Sequence, residues 1–338
     1  MVNKRDLLAK FSSASGLTRF LEAYPSTPSL LVINYHRIGD RESTKFDGGI
    51  FSCTADAFSE QISFLKTRFR NVNLNQALDI IHGRTSSTGS SFLITFDDGY
   101  RDNYDLAFPL LRLHNLSATF FLPTSFIGTG ELPWWDIIAY IVKTSALTTI
   151  TLSFPGFMHF DISPQHQANS IIRILQAFRH HSLTDTERFI AGLEVACGSC
   201  RPTVSDERIF LSWDEAREMQ LNGMDFGSHT HTHPVLSKLC IADQLEELTT
   251  SRTILERELC RPILTVAYPV GGQGAFTPET QRAAAQAGYT SAFSFYSGTN
   301  RSEATKPYDV LRASIDSESQ SLFRLRIASL AARGQVTV

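Results

Sequence analysis

The sequence predicts an α/β protein: a parallel sheet with helices packed outside it. Two observations carry this expectation. Short β-rich runs and amphipathic helical runs alternate along most of the chain, and alternation of that kind builds parallel sheets through crossover helices. The Asp97-Asp98 and His229–His233 segments also follow expected strands, where the C-terminal face of a parallel barrel gathers its functional groups. Seven or eight such strands can close into a distorted (β/α) barrel; an open doubly wound sheet is the alternative.

Residues 5–24 place Leu7, Leu8, Phe11, Leu17, Phe20 and Leu21 near helical spacing. The segment suits either a helix packed on the main domain or one on a membrane surface. Its charge is only slightly positive, which favours packing and leaves peripheral membrane contact as the other option. Pro25 to Pro28 read as a linker, so residues 1–28 form an N-terminal extension and 29–338 the main domain. Residues 30–35 are a strand. Phe58, Ile62, Leu65 and Phe69 mark a helix over 57–69, and a shorter helix follows at 76–82. Residues 84–91 are a polar loop, 92–96 a strand, 103–114 a helix around Pro109, and 117–122 a strand ending at Pro123.

Residues 130–210 break the rhythm. Helical stretches at 134–142 and 167–178 flank a β-like run at 148–154. About 80 residues with few turn-bounded strands make a marginal core of their own, so the segment reads as a helical insertion at the barrel rim. The strand–helix beat then resumes. There is a helix at 212–220 with Ser212 as N-cap, a strand at 224–227, a helix at 242–259 and a strand at 263–268. A helix at 278–287 ends at Gly288. Strands at 290–295 and 309–315 and a helix at 321–332 close the chain.

Composition excludes several classes. Net charge is −3, from 31 basic and 34 acidic residues, without the basic stripe that nucleic acid requires. No apolar run reaches the ~18 residues that span a bilayer. The N-terminus shows no apolar signal core. Five cysteines at irregular spacing make a poor disulfide framework and point to a reducing, cytoplasmic setting.

Thr95-Phe96-Asp97-Asp98-Gly99 carries two adjacent carboxylates behind an apolar strand. Their repulsion needs a cation or a proton to relieve it; an Asx turn is the plainer alternative. Gly227-Ser228-His229-Thr230-His231-Thr232-His233-Pro234 holds three of the ten histidines. His229 and His233 share a face whether the segment is helical or extended, whereas His231 joins them only if it is extended. One carboxylate and two imidazoles leave an open position for water, as in a catalytic zinc-type site, and the spare carboxylate could serve as base. His36 ends the first strand and is either structural or an acid for a leaving amine. Tyr268-Pro269-Val270-Gly271-Gly272 is either a plain turn or a backbone approach to a substrate oxygen. Cys197-Gly198-Ser199-Cys200 lacks a matching second pair. Trp134 and Trp135 suit packing better than sugar stacking.

Taken together, the Thr95–Gly99 and His229–Pro234 segments resemble the first two motifs of the NodB-homology polysaccharide deacetylases, carbohydrate esterase family four. The resemblance runs from about residue 30 to 320, including Tyr35-His36-Arg37 and Ser212-Trp213-Asp214. It implies a distorted (β/α) barrel with one divalent ion, commonly zinc, acting on an N-acetylated glycan. By the same resemblance Asp97 is the general base, Asp98, His229 and His233 hold the metal, and the Val270 N–H beside Pro269 and Tyr268 is the oxyanion donor. Two features depart from many members. Ala267 stands where an arginine usually orients the catalytic aspartate. No histidine follows His233, although a C-terminal Leu-x-His usually supplies the acid. In the permuted-motif branch resembling poly-N-acetylglucosamine deacetylases an N-terminal histidine takes that role, and His36 occupies the similar position. A related small-molecule amidase or deformylase and a non-catalytic glycan-binding protein are the rival readings.

Overall fold

Apolar runs of strand length form a parallel sheet. The computed structural model describes Ser12 and residues 28–85, 89–181, 185–202, 208–301, 305–315 and 319–333. Apart from Ser12 and Pro28, the helix and linker expected before residue 29 lie outside the described residues. The strands are β1 (Leu30–Tyr35), β2 (Arg37–Ile38), β3 (Phe51–Cys53), β4 (Arg70–Asn71), β5 (Ser91–Phe96), β6 (Ala118–Leu122), β7 (Thr149–Leu152), β8 (Met158–Asp161), β9 (Asp225–Ser228), β10 (Thr265–Ala267), β11 (Ser291–Phe293) and β12 (Ala313–Ser314). The helices are α1 (Ala55–Arg68), α2 (Leu74–Ile81), α3 (Phe108–Leu113), α4 (Trp134–Thr144), α5 (Gln167–His181), α6 (Thr186–Cys197), α7 (Trp213–Leu221), α8 (Ile241–Leu259), α9 (Pro278–Gln286) and α10 (Gln320–Arg333).

The main sheet runs β11-β10-β9-β6-β5-β1-β12, with β4 beside β5, and every pairing is parallel. It curls until Val310, just before β12, bridges Phe293 of β11. The arrangement is a distorted barrel, as the alternation of elements predicts, rather than an open doubly wound sheet.

Period-two alternation sorts the residues. Leu31, Ile33, Phe92, Ile94, Phe96, Phe120 and Phe226 pack in the larger core cluster, with residues of the outer helices α1, α7 and α8. Leu30, Val32, Leu93, Phe121, Ala267, Phe293 and Val310 form the second cluster, joined by Leu74, Leu78 and Ile81 of α2. On that inner face the next positions towards the strands' C-terminal ends are Asn34, Thr95, Asp97, His229 and Arg312. An apolar layer is thus topped by a polar one, which places the chemistry.

Two compact units are distinguished. The first comprises residues 1–39, 52–128 and 210–338, and the second residues 40–51 and 129–209. In the second, Ile138, Ile141, Val142, Ile150, Phe160, Ile174, Phe178, Phe189 and Leu193 are buried. Residues 40–51 belong to it by direct bonds: Asp47 N donates to Asp136 Oδ1 at 2.9 Å, and Lys143 Nζ donates to the carbonyls of Thr44 and Phe46. The β-like run becomes an antiparallel hairpin of β7 and β8, and α6 is a helix the sequence reading did not anticipate. Phe189, Ile190, Leu193 and Cys197 give α6 an apolar stripe that its charged residues obscure. Trp134 stacks on Phe178 at 4.5 Å and Trp135 is buried, so this pair packs. Cys197 is buried, which pushes its thiol up to about 12, and none of the five cysteines forms a disulfide.

Two elements depart from expectation for physical reasons. The helix expected over 103–114 opens as a π-helical turn at Asn103–Ala107 before α3. Pro109 lacks the N–H that would complete the normal ladder, and Phe108 N donates five residues back, to Asn103 O. The last strand is shorter than 309–315 because Leu311 N donates to the Asn300 side chain instead of a neighbouring strand.

Candidate active site

Four strand ends bring the polar residues together. Asp97 and Asp98 follow β5, His229 follows β9, the Tyr268–Gly271 segment follows β10, and His36 follows β1. The backbone there is strained. Asp98, Thr230, His233 and Val270 have φ of 71°, 65°, 60° and 62°, values that non-glycine residues seldom adopt and that cluster at functional sites. Gly99 continues the bend with φ 70°; a Cβ there would lie 2.8 Å from both Ile127 and Leu122. Asp-Asp-Gly is therefore a tight turn as well as a pair of adjacent carboxylates.

Asp98, His229 and His233 are buried, and their ligand atoms all lie within 4.8 Å of one another. Asp98 Oδ1 is 3.5 Å from His229 Nε2 and 3.3 Å from His233 Nε2, and makes no well-formed hydrogen bond. His229 Nδ1 donates to the Ala267 carbonyl at 2.8 Å, which leaves Nε2 as the free ligand atom. A buried carboxylate oxygen facing two imidazole nitrogens fits one divalent cation with an open coordination position. His231 is not in this cluster. Its Nδ1 pairs with Thr124 Oγ1 at 2.8 Å, because the turn between the two ligands is neither helical nor extended.

Asp97 is held differently. Arg312 is fully buried and grips it with two bonds, Nη1 to Oδ1 at 2.7 Å and Nη2 to Oδ2 at 2.9 Å. Asn34 Nδ2 donates to Oδ2 at 3.2 Å, while Asn34 Oδ1 accepts from Arg312 Nη1 and Thr95 Oγ1. Arg312 Nε donates to Ser294 O, and its guanidinium lies 5.6 and 5.7 Å from the rings of Phe121 and Phe295. Sequence reasoning missed Arg312. Its signal was a lone charge inside an apolar run, Val310-Leu311-Arg312-Ala313. Where position 267 is alanine, Arg312, the residue just before β12, reaches the same carboxylate.

The electrostatics follow from burial and these partners. Burial pushes the Asp97 carboxyl up, but Arg312 foremost, with His229 and His36, outweighs it and holds Asp97 below the usual carboxylate value. Burial opposes ionisation of Asp98 too, yet the His229 and His233 imidazoles facing it hold it well below that range. Burial lowers His233. It acts likewise on His229, where Asp97 and Asp98 override it and the imidazole is raised.

The His36 ring meets Phe295 edge-on at 5.4 Å, and its backbone is fixed by Ser52 Oγ and Asn103 Nδ2. Tyr268 is buried, stacks on Phe276 at 4.4 Å and donates its hydroxyl to Tyr308 O. Pro269 is buried and its carbonyl accepts from Gly271 N. Val270 is 38% exposed, and among the described residues its N–H has no partner.

Residues 84–292 match the polysaccharide deacetylase family, and the chain belongs to it. The polysaccharide deacetylase-named protein YxkH of Bacillus subtilis is 22% identical over 197 residues, covering 58% of this chain and 42% of its own length. The chain thus matches less than half of that relative. Among solved structures, IcaB from Ammonifex degensii has a TM-score of 0.57 at 19% identity, covering 91% of this chain and 99% of that one. The Streptococcus pyogenes deacetylase PplD in complex with acetate has a TM-score of 0.56 at 16% identity, with 89% and 98% covered. These likenesses show the shared fold. Among the described residues no helix is long and apolar enough to cross a membrane.

Proposed function

We propose that the protein is a metal-dependent hydrolase that removes N-acetyl groups from the amino sugars of a glycan. Asp98, His229 and His233 hold one divalent ion, zinc by the nature of the donor set. The observation that carries this reading is the buried three-ligand cluster beside a carboxylate fixed by a buried arginine. When bound, the ion would polarise the acetyl carbonyl and ease deprotonation of water.

The chain's own residues do the rest. Asp97, its oxygens oriented by Arg312 and Asn34, takes the proton from the attacking water. The Val270 N–H donates to the carbonyl oxygen as it becomes negative. His36 protonates the departing sugar nitrogen as the C–N bond breaks, leaving acetate and a free amine. Both His36 and Asp97 end strands of one sheet, and His36 lies close enough to be among the charges that lower Asp97 and Asp98. With no histidine after His233, His36 supports assignment to the permuted-motif branch. The Arg312 grip on Asp97 supports turnover over a purely glycan-binding role. Five cysteines without a disulfide support a cytoplasmic setting, and residues 130–210 are read as an insertion within the main domain.

The test is acetate release from a panel of N-acetylated oligosaccharides and small amides, with and without a chelator. Chelator-sensitive release from the sugars is expected. Release from small amides alone, or from nothing in the panel, would overturn the reading.

A further inference from the structure

The turn between the two imidazoles needs outside support. Thr230 and His233 both hold left-handed backbone conformations, which are strained for non-glycine residues and persist only where the surroundings enforce them. The enforcement comes from α8. Glu247 Oε2 accepts from both His231 N and Thr232 N at 2.8 Å, and its Oε1 accepts from Thr232 Oγ1 at 2.6 Å. Four residues on, and so on the same helix face, Ser251 Oγ pairs with Ser228 Oγ at 2.8 Å, which in turn accepts from Thr230 N. The other side of the turn is pinned by residues following β6. Thr124 N donates to Thr230 O and Ser125 N to His231 O.

We propose that Glu247 is a positioning residue for the metal centre. One carboxylate gathers every polar group of His231 and Thr232, two of the three residues between His229 and His233, except their carbonyls and the His231 ring. It therefore sets the turn that aims both Nε2 atoms at Asp98 before an ion arrives, and with it the affinity for that ion. A staple that served stability alone would leave affinity unchanged. The inference rests on the metal-site reading above, but its measurement needs no substrate.

The experiment titrates zinc into metal-free, full-length protein by competition with a chromogenic chelator. It compares wild type, Glu247→Ala and Glu247→Gln, with thermal midpoints of each metal-free protein alongside. Glu247→Ala weakens zinc by ~10-fold or more, the usual scale for groups that orient metal ligands. Glu247→Gln restores affinity to within about threefold, because its carboxamide oxygen can accept both N–H groups while its NH₂ donates to Thr232 Oγ1. Thr232→Val, which deletes one bond of the three, gives an intermediate loss and keeps the test open if Glu247→Ala does not fold. Zinc affinity of Glu247→Ala within about twofold of wild type, with or without a lower midpoint, would overturn the proposal. So would a Glu247→Gln protein as weak as the alanine variant, since charge rather than geometry would then be at work. A wild-type protein that binds no zinc would instead remove the metal-site reading itself.

Discussion

Replacing Arg312 with methionine keeps much of the buried volume but strips Asp97 of its paired charge. The two carboxylate oxygens lie 2.7 and 2.9 Å from the guanidinium nitrogens. Two unit charges roughly 4 Å apart at an effective dielectric near 20 attract by about 4 kcal/mol. Orphaning one partner of a buried pair costs about 3–5 kcal/mol. Asn34 Nδ2 at 3.2 Å and His229 Nε2 at 3.9 Å remain near Asp97, but neither replaces a bidentate cation. The carboxyl therefore rises from its depressed position. A general base works only when deprotonated, so activity is lost as pH falls through its pKa. Raising that pKa moves the acid limb of the rate profile to higher pH. The expected result is a kcat/KM deficit of ~10²-fold or more at pH 7 that narrows towards pH 9, together with a lower thermal midpoint. The assay is acetate release between pH 5 and 9, expressed as the ratio of wild type to variant, at matched metal content. A pH-independent ratio, or an unshifted acid limb, would refute the argument that Arg312 tunes Asp97.

Four further outcomes are expected. Elemental analysis should find one divalent ion per wild-type chain and a substoichiometric amount in His229→Ala; since the raised His229 must be neutral to ligate, uptake should release protons and weaken as pH falls. His36→Ala should keep its metal and its thermal midpoint while turnover drops by ~10²-fold or more, and near-normal acetate release would remove His36 from the mechanism. Val270→Gly should relieve left-handed strain and raise stability by up to about 1 kcal/mol, with slower turnover because the donor N–H is less firmly placed; an unchanged kcat would speak against that N–H. A fragment of residues 129–209 should not fold cooperatively, because it lacks residues 40–51, whose backbone bonds to Asp136 and Lys143; circular dichroism during thermal melting checks this.

The sequence by itself determined the alternation of strands and helices in the main domain and the two segments, Asp97-Asp98 and His229–His233, that carry the candidate ligands. Those signals are local: strand runs such as 92–96, an N-cap at Ser212 that forms a capping box with Glu215, and carboxylates and imidazoles a few residues apart. Only the tertiary structure decided who holds the carboxylates and imidazoles in place. Arg312 is 215 residues from Asp97 and Glu247 is 15 from Thr232, and neither carries a motif. Arg312 reaches Asp97 because the curled sheet sets β12 against β1 and β1 against β5, with alternation turning both side chains inward. Glu247 reaches the histidine turn because α8 packs back along the strand that ends there. Local chemistry names the reacting groups, while their partners depend on register and closure, which arise from contacts between distant strands and helices.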